Sequence, residues 1–289
     1  MARPSFIFIL ADDLGHADLG CYGGHGPSCS PMLDRMAAEG LRYTDGYSNS
    51  PVCSPTRFAL MTGRYQYRLR GAAEEPLGGW ARNNPVLGLP PEHPTLASLL
   101  REAGYATALV GKWHLGFPPA FGPRRSGYEE FFGVHHGGVD YFTHCDPQGK
   151  HDLHENETEV ERHGYLTDLL TDKAIDFVQR KSGNPFLLSL HYTAPHWPWE
   201  TRDDEAEAKR VHGAIYHLDF NPPPADLPAD RLQHRADDQP EAIRNRLRVY
   251  HEETEPLEAF FREHVHFVEI DGMGALDEVQ ERVDDALAE

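Results

Sequence analysis

Cysteine is scarce in this chain: Cys21, Cys29, Cys53 and Cys145 are four among 289 residues, and no two are spaced C-x-x-C. Neither a disulfide scaffold nor a zinc knuckle is built that way. Positive charge is short as well, with 27 Lys and Arg against 46 Asp and Glu and a formal net charge of −19. Nucleic acid and anionic membrane surfaces demand basic patches, so neither is expected as a partner. An anionic substrate must then be held by a local cluster of cations or by a metal. Long apolar runs are also lacking. The N-terminal run, Phe6 to Leu10, is too short for the core of a signal peptide, and no stretch approaches the length of a membrane span. The sequence as written therefore predicts a cytoplasmic protein, or a periplasmic or secreted one if a leader has been removed.

What is present is globular. Hydrophobic residues make up 39% and charged residues 25%, near the averages of folded domains, while 26 Gly and 23 Pro predict many loops. The length suits one large α/β domain, or a medium domain with a small one. Phe6 to Leu10 reads as a buried parallel strand whose carboxyl end delivers Asp12 and Asp13. Helices are predicted from Pro31 to Gly40, from Thr95 to Gly104 and from Leu166 to Arg180, with strands at Ala106–Val110 and Phe186–His191. Such alternation points to a mostly parallel sheet flanked by helices. After Asp219 the composition shifts: Pro222–Pro224 break the pattern, and residues 222–289 hold 18 acidic and 7 basic side chains. A helix, a short strand at Val265–Ile270, a turn and a further helix are predicted there, with a boundary near 220–235.

Ligand sites of open α/β sheets lie at the carboxyl ends of strands. The Asp12–Asp13 doublet at such an end offers a hard cation two carboxylates from one point of the backbone, although a solvated turn has the same look. More specific is Cys53-Ser54-Pro55-Thr56-Arg57, continuing Phe58-Ala59-Leu60-Met61-Thr62-Gly63-Arg64. A strand also leads into Gly111-Lys112-Trp113-His114-Leu115-Gly116, placing a cation and an imidazole two residues apart, and His191-Tyr192-Thr193-Ala194-Pro195-His196-Trp197-Pro198 follows another.

The Cys53 string resembles the signature of type I, formylglycine-dependent sulfatases. Four family-like segments, at 11–15, 53–57, 111–116 and 194–198, occur in the family's order. The resemblance implies an alkaline-phosphatase-like α/β fold and a sulfuric ester hydrolase of arylsulfatase type. It implies that Cys53 is oxidised to formylglycine by a maturation enzyme, and that the hydrated aldehyde attacks sulfur. Asp12, Asp13 and residue 53 would bind a divalent metal, calcium or magnesium. Arg57 would steady the formylglycine, and Lys112, His114 and His196 would surround the sulfate of a sulfated small molecule or glycan. Residues 135–154, HHGGVDYFTHCDPQGKHDLH, look like a substrate-facing loop of the arylsulfatase and N-acetylgalactosamine-sulfatase type. They are expected to be solvated, with metal binding by the histidines as the alternative.

The likeness covers residues 3–219 and stops before the later strand that, in the family, ends in an Asp-Asn pair completing the metal site. A truncated catalytic domain at 1–221 is therefore expected, then a Pro-rich linker at 222–234. Residues 235–289 form a small α/β tail that resembles the C-terminal part of adenylate kinases. There Arg235 and Arg246 match phosphate-contacting arginines, but no P-loop precedes them, which disfavours a nucleotide kinase. A phosphonate or phosphate monoester hydrolase of the same superfamily and an inactive remnant with an interaction tail are the other readings.

Overall fold

The computed structural model describes residues 3–24, 30–69 and 76–210. Its centre is a six-stranded sheet built from β1 (Phe6–Leu10), β2 (Ala106–Lys112), β3 (Glu130–Val134), β4 (Leu153–Glu155), β5 (Thr158–Glu159) and β6 (Phe186–His191), in the order β1-β6-β2-β3-β4-β5. The pairs β1–β6, β6–β2 and β2–β3 are parallel, whereas β3–β4 and β4–β5 are antiparallel. Five α-helices accompany it among the described residues: α1 (Pro31–Glu39), α2 (Cys53–Thr62), α3 (Leu96–Glu102), α4 (Leu166–Lys181) and α5 (Glu205–Arg210).

Side chains of a strand alternate between its two faces, and the core divides accordingly. Leu109 of β2, Phe131 of β3 and Leu187 of β6 join Phe58 and Met61 of α2 on one face. Ala108 and Val110, Phe132, and Leu188 and Leu190 meet α4 on the other. Leu166, Leu170, Ala174 and Phe177 are the buried residues of α4, spaced to fall on one helical stripe. Each fully buried Leu or Phe is worth roughly 1.5–3 kcal/mol relative to exposure. The stripe is thus what fastens α4 to the sheet.

The helix ends follow local rules. Thr95 caps α3 by accepting the Ser98 N–H at 3.0 Å, and Gly63, at φ +65°, closes α2 in the left-handed conformation. Gly111 lies in β2 between His191 of β6 and Gly133 of β3. At φ +117°, its ideal Cβ would penetrate the His191 carbonyl, so only glycine lets the strands close there.

One expectation fails. β1 has the predicted bounds and parallel pairing, but it is not buried: Phe6, Ile7 and Ile9 are 44%, 53% and 52% exposed. The reason is position, because among the described strands β1 pairs on one side only. The expected solvated loop at 135–154 fails in the opposite sense, since His135, His136, Asp140, His144, Asp146 and Asp152 are all buried. The boundary near 220–235, the linker, the Val265–Ile270 strand and the tail lie outside the described residues.

Candidate active site

Three parallel strands deliver polar residues to one edge of the sheet. β1 runs into Asp12, β2 ends at Lys112 and β6 at His191. The Tyr192 N–H donates to Leu10 O at 2.9 Å and the Asp12 N–H to Ala194 O at 3.0 Å, tying the segment after β6 to that after β1. α2 approaches the same edge with its N-terminus, where Cys53 is the first helical residue. Arg57 follows one turn later, and residues four apart share a helix face. Leu10, Asp12, Asp13, Ser50, Cys53 and Arg57 line one cavity of about 240 Å³.

Arg57 is the hub. Its side chain is 1% exposed, and its Nη1 donates to Lys112 O at 2.7 Å and contacts His191 Nδ1 at 3.2 Å. Nδ1 of His191 also lies 3.3 Å from Lys112 O, so the tautomer of the ring decides whether it accepts from Arg57 or donates to that carbonyl. Arg57 Nη2 stands 3.4 Å from Asp12 Oδ1, and neither Nη2 nor Nε makes a hydrogen bond. Lys112, fully buried, donates to the other Asp12 oxygen. Burial alone would raise the Asp12 pKa, but Lys112 and then Arg57 outweigh it and hold the carboxyl below the usual Asp value. Burial pushes His191 the other way, to about 3, helped by the Arg57 charge, so the ring is neutral.

Asp13 adopts the left-handed conformation, φ +64°, which a short polar side chain tolerates. His196 Nε2 lies 3.9 Å from Asp13 Oδ2, and its Nδ1 is 2.5 Å from Trp197 O. Of the residues expected from sequence, Asp12, Asp13, Cys53 and Arg57 line the cavity together, Lys112 reaches it through Asp12, and His196 through Asp13. His114 stands apart. It is buried, its Nε2 donates to Leu77 O at 2.7 Å, and its Nδ1 has no hydrogen-bond partner. Burial, then Lys112, holds its pKa well below the ordinary imidazole value. His191 was overlooked in favour of His196. The available signal was its place as the last residue of an apolar strand.

The sulfatase family's sequence profile matches residues 4–248. This chain belongs to the sulfatase family. Among curated sulfatases, an arylsulfatase of Hemicentrotus pulcherrimus is 35% identical over 223 residues, 71% of this chain and 39% of that protein. Human N-acetylgalactosamine-6-sulfatase is 34% identical over 209 residues, 68% of this chain and 40% of that protein. The chain thus spans about two fifths of the length of these relatives. The crystal structure of Ps i-CgsB in complex with k-i-k-neocarrahexaose superposes with a TM-score of 0.62 at 33% identity, covering 74% of this chain and 51% of that one. A protein in complex with its substrate D-glucosamine-2-N,6-O-disulfate superposes with a TM-score of 0.56 at 29% identity, covering 68% of this chain and 36% of that one. The sulfatase fold is therefore that of the mixed, mostly parallel sheet described above. The profile match ends within the segment expected to resemble adenylate kinases.

Proposed function

We propose that this chain is the sulfate-binding portion of a sulfuric ester hydrolase of arylsulfatase type acting on a sulfated small molecule or glycan, with residue 53 as the nucleophile. One observation carries the proposal: Cys53 and Arg57, a helical turn apart, face the Asp12–Asp13 doublet across a single cavity. Relatives with structures in complex with k-i-k-neocarrahexaose and with D-glucosamine-2-N,6-O-disulfate support the substrate class.

Oxidised to formylglycine by a maturation enzyme, residue 53 would supply a hydrated aldehyde; one hydroxyl would attack sulfur as the S–O bond to the departing alcohol breaks, and the second would collapse to the aldehyde and expel sulfate. The donors fit a hard divalent cation, being carboxylates on adjacent residues with Asp12 kept ionised by its neighbours. Held by Asp12, Asp13 and residue 53, calcium or magnesium would supply positive charge to the sulfate oxygens. Arg57 steadies residue 53, and its Nε and Nη2 are buried donors without a hydrogen bond, suited to an anionic oxygen. Lys112 adds a second buried cation, and the His191 ring packs against the Arg57 guanidinium. His196 borders the doublet and is our candidate for contact with the sulfate. His114 lies behind this layer with its Nε2 donating to Leu77 O, and we keep it as a catalytic candidate.

Among the described residues, Asp12, Asp13 and residue 53 are fewer than the six to eight oxygens that calcium takes. We place the catalytic portion at 1–221, the linker at 222–234 and an adenylate-kinase-like tail at 235–289. Hydrolysis of 4-nitrophenyl sulfate with calcium, after coexpression with a formylglycine-generating enzyme, tests the reading. A release of nitrophenol abolished by Cys53→Ala supports it, whereas equal rates in both proteins contradict it.

A further inference from the structure

His135, Asp152 and His154 form a second cluster away from the Asp12–Cys53 cavity. His135 directly follows β3, and Asp152 and His154 flank Leu153 of β4. The antiparallel register that sets His154 opposite Gly133 brings the two segments together. One donor atom from each of the three residues lies within 4.8 Å of the other two.

The carboxylate is the telling member. Asp152 is completely buried; its Oδ2 accepts the His136 N–H at 2.6 Å, while its Oδ1 has no hydrogen-bond partner. An orphaned buried carboxylate oxygen is costly unless an ion or a donor meets it. His135 Nδ1 stands 3.9 Å from that oxygen. This is too long for a hydrogen bond and near the roughly 3.4 Å that separates two ligands of a tetrahedral ion bound at about 2.1 Å. Arg82 does not fill the role. Its guanidinium is bound to Asp146 and approaches Asp152 Oδ1 only to 3.7 Å.

The backbone sets the tautomer of one of the two imidazoles. His154 Nδ1 donates to the Asp152 carbonyl oxygen at 2.8 Å and stands 3.8 Å from Asp152 Oδ1, so Nε2 carries the ring's lone pair. A ring nitrogen donating to a backbone carbonyl is the usual support of a metal-bound histidine. The His135 and His154 rings stand edge to face with centroids 4.5 Å apart, and His135 packs on Phe131 at 5.0 Å. His135 also lines a cavity of about 330 Å³ with Pro118, Phe121, Arg124 and Asn156, which offers an ion a way in.

We propose that His135, Asp152 and His154 bind a zinc ion. Two imidazoles and one carboxylate suit zinc, which accepts N and O ligands, and disfavour calcium, which seeks oxygens alone. The ion joins the end of β3 to β4 and so closes the segment 136–151, which carries His136, Asp140 and His144. It is separate from the divalent cation assigned to the nucleophile, and its binding does not depend on that assignment.

The full chain, stripped with EDTA, is incubated with zinc under excess calcium, desalted and analysed for metal by mass spectrometry. One zinc per chain is expected in the wild type and in Asp13→Ala. Asp152→Asn, close to isosteric, and the His135→Ala/His154→Ala double variant should bind at least about 10-fold more weakly, since even supporting residues of such sites matter that much. X-ray absorption at the zinc edge of the wild type reads the ligands without any variant, and should show two imidazoles with light-atom ligands. Wild-type protein that retains no zinc, equal zinc in wild type and both variants, or an edge spectrum with sulfur or no paired imidazole would overturn the proposal.

Discussion

Asp12→Ala is the substitution whose effect the structure specifies most closely. The wild-type carboxylate sits between Lys112, fully buried, and Arg57, 1% exposed. Removing it leaves two buried cations facing each other without a counter-ion. Breaking a buried ion pair by deleting one partner typically costs about 3–5 kcal/mol. For a domain of this size each kcal/mol moves the melting temperature by about 2–4 °C, so the midpoint should fall by roughly 6–20 °C. Adding Lys112→Met removes one of the stranded charges. The double variant should then recover part of the loss, with a coupling of at least about 0.5 kcal/mol between neighbouring sites. Thermal and urea denaturation followed by far-UV circular dichroism on the four proteins of this cycle read both quantities. A loss under about 1 kcal/mol, the size expected of an exposed pair, or strict additivity would refute the reasoning.

Glu200→Gln should raise the melting temperature at pH 8 and leave it nearly unchanged at pH 4. Burial pushes the Glu200 pKa up to about 8, so between the unfolded value and pH 8 the native state keeps a proton that the unfolded state has lost. Wild-type stability therefore falls as pH rises through that window, and a neutral amide, still able to accept the Tyr141 N–H seen at 2.7 Å, does not share the loss; parallel melting curves across pH contradict this. Phe177→Ala, in the stripe that joins α4 to the sheet, should cost about 3–5 kcal/mol in urea unfolding; a cost under 1 kcal/mol would show that α4 packs otherwise. Gly111→Ala should yield no soluble native protein, because the added methyl group meets the His191 carbonyl; normal expression with an unchanged near-UV spectrum would disprove it.

The parts of the fold that were legible announce themselves through short-range chemistry. The run Phe6–Leu10 and the run Phe186–His191 are strands with the bounds read from sequence, and Pro31 with Gly40 bracket α1. What the run at β1 could not reveal is its exposure, which depends on how many neighbours a strand finds. Residues 135–154 misled for a different reason. Polar composition suggested solvent, but the carboxylates are spent inside: Asp140 Oδ1 accepts the Phe142 and Thr143 N–H groups, and Asp146 Oδ1 those of Gln148 and Lys150. Side chains that satisfy buried turns look the same in sequence as side chains that face water. β3 and β4 pair across that segment, so their partnership is not a local signal.

At the site, Cys53, Arg57 and the Asp doublet were legible because the motif is local and the strand end is a general binding position. The sharing of Asp12 between Lys112 and Arg57 was not, because the three residues come from three distant segments. His191 escaped for the same reason: its ring meets Arg57, which lies 134 residues away in the chain.

The central claim, that residue 53 is the nucleophile of a sulfatase site, is tested most directly by peptide mass spectrometry of the full chain coexpressed with a formylglycine-generating enzyme. The account predicts that the Cys53 peptide alone becomes lighter by about 18 Da, the difference between a thiol-bearing carbon and an aldehyde, with Cys21, Cys29 and Cys145 unaltered. A Cys53 peptide of unchanged mass would contradict it.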